Sequence, residues 1–152
     1  YFIMSQAYHD MNKIATADRG QINFTTTEEM YNVIVGMTKK LMADIPFKDV
    51  IATGTCLQNL RTSDLNSGMC LTRDGYHMDY GISRYAAACM VFEKLISPSF
   101  DNVKLDKNTY RYGNSSTTSG SYSTPVTDAN APVALQAARY ALQTPYQVTS
   151  MK

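Results

Sequence analysis

The chain has 152 residues, 44% of them hydrophobic, enough for one domain with a substantial core. Its formal charge is +1, with Lys and Arg scattered rather than clustered, which argues against nucleic acid or an anionic membrane surface as the main partner. No apolar run reaches the roughly 18–20 residues of a membrane span; the longest, Tyr85 to Val91, is far too short.

Tyr1-Phe2-Ile3-Met4-Ser5 is rich in β-formers and predicts a short buried strand. With no initiator Met, basic n-region or signal-peptide pattern, this opening reads like the middle of a longer chain, whose N-terminal portion is then the first partner expected. A polar stretch to about Phe24 follows, with a turn at Asp18-Arg19-Gly20. Thr25 and Thr26 precede Glu28 and Glu29 at capping-box spacing, and Met30, Val33, Ile34, Met37, Leu41 and Ile45 recur as one apolar stripe, predicting a helix that Pro46 stops.

Asp49 to Gly54 reads as a second buried strand, so strand, helix and strand form a βαβ unit of a parallel sheet. In such sheets sites lie at the carboxyl ends of strands, where "TCLQNLRTSDLNSG" begins as a loop. A second helix is predicted from Tyr80 to Ile96, burying Ile82, Tyr85, Ala86, Cys89, Phe92 and Ile96 and ended by Pro98. Residues 98–128 are rich in Ser and Thr and read as a surface insertion, with a hairpin as its candidate form. Asp128 or Asn130 then caps an alanine-rich helix to about Leu142, with Pro132 in its first turn. There is no internal repeat.

Three cysteines, Cys56, Cys70 and Cys89, leave one unpaired in a monomer, and buried or idle thiols are the plain reading. A Cys56–Cys70 bridge is conceivable in an exported chain. No CxxC, Cys/His or His-x-x-x-His spacing points to a metal, and no cofactor is implied.

One of the two histidines, His77, stands in Asp74-Gly75-Tyr76-His77. A histidine base needs a carboxylate on its Nδ1–H to fix the tautomer and stabilise the imidazolium, and a turn with a flexible glycine can fold the aspartate back to do so. It also needs a nucleophile within reach of Nε2. By itself the element reads more readily as a turn or cap than as a catalytic pair.

The wider segment "LTRDGYHMDYGISRYAAACMVFEKL" resembles the last block of the SGNH (GDSL-type) hydrolases, in which Asp-x-x-His supplies two triad members. "IATGTCLQNLRTS" is similar to a bacterial branch of that superfamily, where a Gly-Thr-x-x-Gln-Asn-x-Arg segment precedes the block. The resemblance covers about residues 1–96 and the final helix. It implies a flavodoxin-like three-layer α/β/α sandwich with a parallel sheet, of which residues 1–152 are the C-terminal part. It also implies hydrolysis of esters, often acetyl groups on carbohydrates, with His77 as general base and Asp74 as its orienting partner. Similar proteins are often exported.

The nucleophilic serine of that family lies in a Gly-Asp-Ser-like block, and none occurs here before residue 74, where the only serines are Ser5, Ser63 and Ser67. The nucleophile and oxyanion donors are therefore expected outside these residues, and the chain alone is expected to be inactive. Arg61 is a candidate to bind a polar substrate group or to fix the Asp74 loop. Gln58 and Asn59 are candidate amide donors to a sugar, or local loop caps. Tyr8, with His9, is placed to line the same cleft. Tyr110, Tyr112 and Tyr122 are possible sugar-stacking or partner residues. The rival readings are a non-catalytic carbohydrate- or partner-binding module on the same fold, and a thiol chemistry pairing Cys56 or Cys70 with His77.

Overall fold

Thr26 and Glu29 fix the start of the longest helix, α1 (Thr27–Asp44). The Thr26 hydroxyl accepts from the Glu29 amide at 3.1 Å, and the Glu29 carboxylate accepts from the Thr26 amide at 3.2 Å. This is the reciprocal box expected from the sequence, and it satisfies amides that a helix start otherwise leaves unpaired. The computed structural model describes residues 1–9, 24–66, 71–99, 105 and 124–152. The turn at Asp18–Gly20, Cys70, Ser67, Tyr110, Tyr112, Tyr122 and most of the insertion expected at 98–128 lie outside them.

Strand β1 (Phe2–Ile3) pairs in parallel with β2 (Val50–Ile51), Phe2 opposite Val50 and Ile3 opposite Ile51. A parallel pair needs a crossover, and α1 supplies it. The described residues form a mixed α/β arrangement of four helices about this short two-strand sheet. None of the helices among them is long and apolar enough to cross a membrane.

Helix α2 (Thr53–Arg61) corrects both the strand expected to run on to Gly54, which ends at Ile51, and the loop expected after it, and each of the helix's residues is buried. Its Thr and Gly residues are weak helix formers, so the sequence signal was absent; burial against neighbouring elements overrides propensity. The turn into it is held by Met4, whose carbonyl accepts from the Gly54 amide at 3.0 Å and the Thr53 hydroxyl at 2.7 Å. The expected stripe of α1 is also corrected. Tyr31, Val35 and Thr38 are the buried positions, while Val33, Met37 and Ile45 are exposed.

Helix α3 (Ile82–Leu95) buries Ile82, Ala86, Cys89 and Met90, whereas Ile96, expected in its buried face, lies exposed beyond its end. Helix α4 (Ala131–Gln143) turns Ala131, Ala134, Ala137, Ala138 and Ala141 into the core, small residues that let it approach α3 and α2 closely. Asn130 does not cap α4 with its side chain. It pins the preceding turn instead, accepting from Thr127 N–H and donating to the Pro125 carbonyl, both at 2.8 Å.

Asp79, which the sequence reading passed over, organises the start of α3. Its fully buried Oδ1 accepts from Gly81 N–H at 2.9 Å, Ser83 N–H at 3.1 Å and the Ser83 hydroxyl at 2.9 Å, and Oδ2 from Thr124 N–H at 3.3 Å. Asp79→Ala orphans these donors and is expected to lower stability by about 2–4 kcal/mol. Chemical denaturation measures it, and a loss below about 1 kcal/mol would mean the network is dispensable. The available signal was an acid three positions before an apolar helix start.

Candidate functional site

The Asp74 loop is closed by an antiparallel bridge between Thr72 and Met78. The Arg73 amide donates to the His77 carbonyl at 2.9 Å, and the Gly75 amide to the Thr72 hydroxyl at 3.2 Å. Gly75 adopts φ 92°, a left-handed conformation that glycine takes without a Cβ penalty. That reversal lets Asp74 Oδ1 accept from the amides of Tyr76 at 3.0 Å and His77 at 2.8 Å. The other oxygen, Oδ2, then stands 2.7 Å from His77 Nδ1.

The electrostatics set the histidine tautomer. Partial burial pushes the Asp74 carboxyl up, but the hydrogen bonds from the His77 amide and ring and the Tyr76 amide outweigh it and bring its pKa down to about 2. Arg73 Nε, 3.6 Å from Oδ2, favours the same charged form. The carboxylate is therefore ionised at neutral pH and faces Nδ1, so in a neutral imidazole the proton sits on Nδ1 and the lone pair on Nε2. The His77 side chain is 61% exposed, and among the described residues no hydrogen bond reaches Nε2.

Because the folded pKa lies below the unfolded carboxylate value of about 3.9, the stabilisation is complete above about pH 4 and lost as pH falls through about 2. An NMR titration of the Asp74 carboxyl is expected to show a midpoint of about 2. A midpoint near the unperturbed value would mean that these hydrogen bonds do not form in solution.

The loop sits at the carboxyl end of β1. Gln6 Nε2 donates to the Tyr76 carbonyl at 3.0 Å, His9 N–H to the Gly75 carbonyl at 2.8 Å, and the rings of Tyr8 and Tyr76 meet edge to face at 5.0 Å. Tyr8 thus meets the Asp74 loop through Tyr76, whose ring stands edge to face with that of His77 at 6.2 Å. Arg61 is buried, donating to Gln58 Oε1 at 2.6 Å and to the Ala7 carbonyl at 3.0 Å, and so braces the segment carrying Tyr8.

Gln58 and Arg61 also border a separate groove of about 590 Å³, with Thr27, Glu28, Tyr31 and Tyr146; Tyr8, Asp74 and His77 do not line it. Asn59 is fully buried. It donates to the Ala137 carbonyl at 3.2 Å and accepts from Thr149 N–H at 2.7 Å, so its amide ties α4 and the C-terminal segment to α2.

Cys56 is buried and donates to the Ala86 carbonyl, and burial pushes its thiol far above the usual range; it is not a poised nucleophile. Ser63 is buried with its hydroxyl donated to the Leu60 carbonyl at 2.6 Å. No group of three metal-ligating side chains occurs among the described residues.

An α/β chain that offers a carboxylate-braced imidazole at the end of a parallel strand is the class this geometry defines. Residues 5–127 match the family described as Domain of unknown function (DUF4886), and the chain belongs to that family. It is similar to the crystal structure, at 1.50 Å resolution, of a DUF4886 family protein from Bacteroides uniformis ATCC 8492. The two share 28% identity with a TM-score of 0.71, over 98% of this chain and 49% of that protein. The chain thus spans about half the length of that relative. No curated protein matches it.

Proposed function

We propose that this chain is part of a serine-dependent ester hydrolase of the SGNH type, with His77 as general base and Asp74 as the carboxylate that orients it. The single observation that carries the reading is the 2.7 Å contact between His77 Nδ1 and an ionised Asp74, on a largely exposed side chain whose Nε2 faces away from the carboxylate. The nucleophile and the oxyanion donors come from residues beyond these 152. In this reading the two parallel strands belong to a larger, flavodoxin-like sheet between helical layers. The substrate is an acylated carbohydrate or a similar small ester, as the resemblance of the Asp-x-x-His and Gln-Asn-x-Arg segments implies.

In the reaction, the serine hydroxyl attacks the ester carbonyl while Nε2 takes its proton. The imidazolium that forms is held by Asp74, then returns the proton to the departing alkoxide; water deacylates the enzyme by the same route. The test uses the natural polypeptide that carries this sequence. It is expected to hydrolyse p-nitrophenyl acetate and to be labelled on one serine by a fluorophosphonate. Absence of both turnover and labelling would overturn the reading.

A further inference from the structure

We infer that the groove between α1, α2 and the C-terminal segment binds a neutral sugar unit, with the Gln58 side-chain amide as its central donor. Its volume of about 590 Å³ falls within the roughly 300–1,000 Å³ of small-ligand sites. The walls are tied to one another by hydrogen bonds. Thr55 of α2 donates its hydroxyl to the Pro145 carbonyl at 2.6 Å, so the Tyr31 hydroxyl of α1, 2.9 Å away, is the donor to Thr55 Oγ1. Asn59 fastens Thr149 to α2 in the same region. A groove held this way needs little ordering when a ligand enters.

Gln58 lines this groove and is only 8% exposed. Arg61 decides which way its amide points. A guanidinium only donates, so the atom 2.6 Å from Arg61 Nη1 is the acceptor, Oε1. The same guanidinium is anchored on the Ala7 carbonyl at 3.0 Å. Nε2 is left as the free end of the amide, and no hydrogen bond reaches it among the described residues. Each fully buried side-chain nitrogen or oxygen among those residues has a partner, so Nε2 is the atom that opens to the groove. A donor fixed on a side chain more than nine-tenths buried is satisfied by an acceptor that comes from outside.

The remaining lining sets the class of ligand. Among the described residues one acid, Glu28, and one base, Arg61, border the groove, and the guanidinium is already engaged by Gln58 and Ala7. No net charge therefore draws an ion. Glu28, Asn32 and the Tyr146 hydroxyl add acceptors and donors that make no hydrogen bond among the described residues. Tyr146 and Val148 add apolar surface. Hydroxyl groups both donate and accept, which matches this mixture, and a pyranose ring brings a C–H face for the apolar part. Tyr8, Asp74 and His77 do not line the groove. Recognition here stands on groove geometry alone; only a link between the bound sugar and an ester substrate rests on the hydrolase reading.

An NMR titration of the natural polypeptide carrying this sequence with glucose, galactose and N-acetylglucosamine tests it. The readout is the Gln58 side-chain amide, with the buried Asn59 amide as reference for the fold. At least one of these sugars is expected to shift Gln58 saturably, with a Kd of about 1–10 mM, and to leave Asn59 in place. Gln58→Glu keeps an oxygen for Arg61 but replaces the donor with an acceptor, and is expected to weaken binding at least about tenfold, followed at the Asn32 amide. Asn32→Ala, on the exposed side of α1, is expected to weaken it about threefold or more, followed at Gln58, and decides the matter if Gln58→Glu disturbs Asn59. No saturable shift with any of the three sugars overturns the inference, as does unchanged affinity in the variants. A shift produced by inorganic phosphate or by N-acetyl-trialanine but not by sugar overturns it too, marking an anion or a peptide site. Ester turnover is measured on the same preparation. Sugar binding without turnover counts against the hydrolase reading alone, and turnover without sugar binding against this site alone.

Discussion

Replacing His77 with alanine in the complete polypeptide is expected to cut ester turnover by at least about 10³-fold, because base and nucleophile act as a unit. The ring is exposed and its one polar contact among the described residues is to Asp74 Oδ2, so the fold is expected to lose no more than about 1 kcal/mol. Steady-state kinetics and a melting curve measured together separate the two effects. Turnover within about tenfold of the parent would remove His77 from the mechanism.

Asp74→Asn makes the same point through the tautomer. Its remaining oxygen still accepts from the Tyr76 and His77 amides, so the turn is preserved. The new amide nitrogen, however, faces His77 Nδ1 as a donor and forces the ring proton onto Nε2, which abolishes the base. The expected loss in kcat is about 10²–10⁴-fold with little change in stability. A variant that keeps full activity would show that the carboxylate only shapes the loop.

An effect on stability as large as that of Asp79→Ala is expected from Gly54→Ala. A Cβ at this position would lie 2.1 Å from the Ser5 carbonyl oxygen and 2.9 Å from its carbon, both backbone atoms that cannot swing aside. The contact can be relieved only by moving α2 off β1, which strains the Gly54–Met4 hydrogen bond. The cost is expected to be about 3 kcal/mol. Gly36 provides the opposite case. It lies exposed within α1, and a Cβ there meets nothing within 4 Å. Gly36→Ala is expected to stabilise by about 0.5–1 kcal/mol through helix propensity. Denaturant midpoints of the two variants should move in opposite directions, and a neutral Gly54→Ala would mean that α2 is not seated as described.

The dyad was legible because it is local. Two residues within one four-residue turn, with a glycine to reverse the chain, need only the backbone between them to meet. The capping box of α1 and the parallel relation of β1 and β2 were legible for similar reasons, through short spacings and a capped crossover. Helix α2 was not, because its Thr- and Gly-containing segment carries weak propensity and forms where burial and Met4 hold it. Arg61, Gln58 and Asn59 were singled out as site residues. Their actual settings are an interior bracket on Ala7, a groove apart from His77, and the junction with α4, and each depends on partners far away in the chain. Residue type alone does not distinguish an amide that meets a ligand from one that meets a distant carbonyl.

By itself the sequence determined the elements whose causes are short-range: the capped helix, the two β-rich runs, the alanine face of α4 and the Asp74–His77 turn. Tertiary structure alone decided which face of α1 is covered, where α2 sits and that the Asp74 loop joins the end of β1. Those outcomes depend on contacts between segments tens of residues apart, whose free energy comes from surface removed from water and from hydrogen bonds closed across the fold. No local pattern encodes which partner arrives.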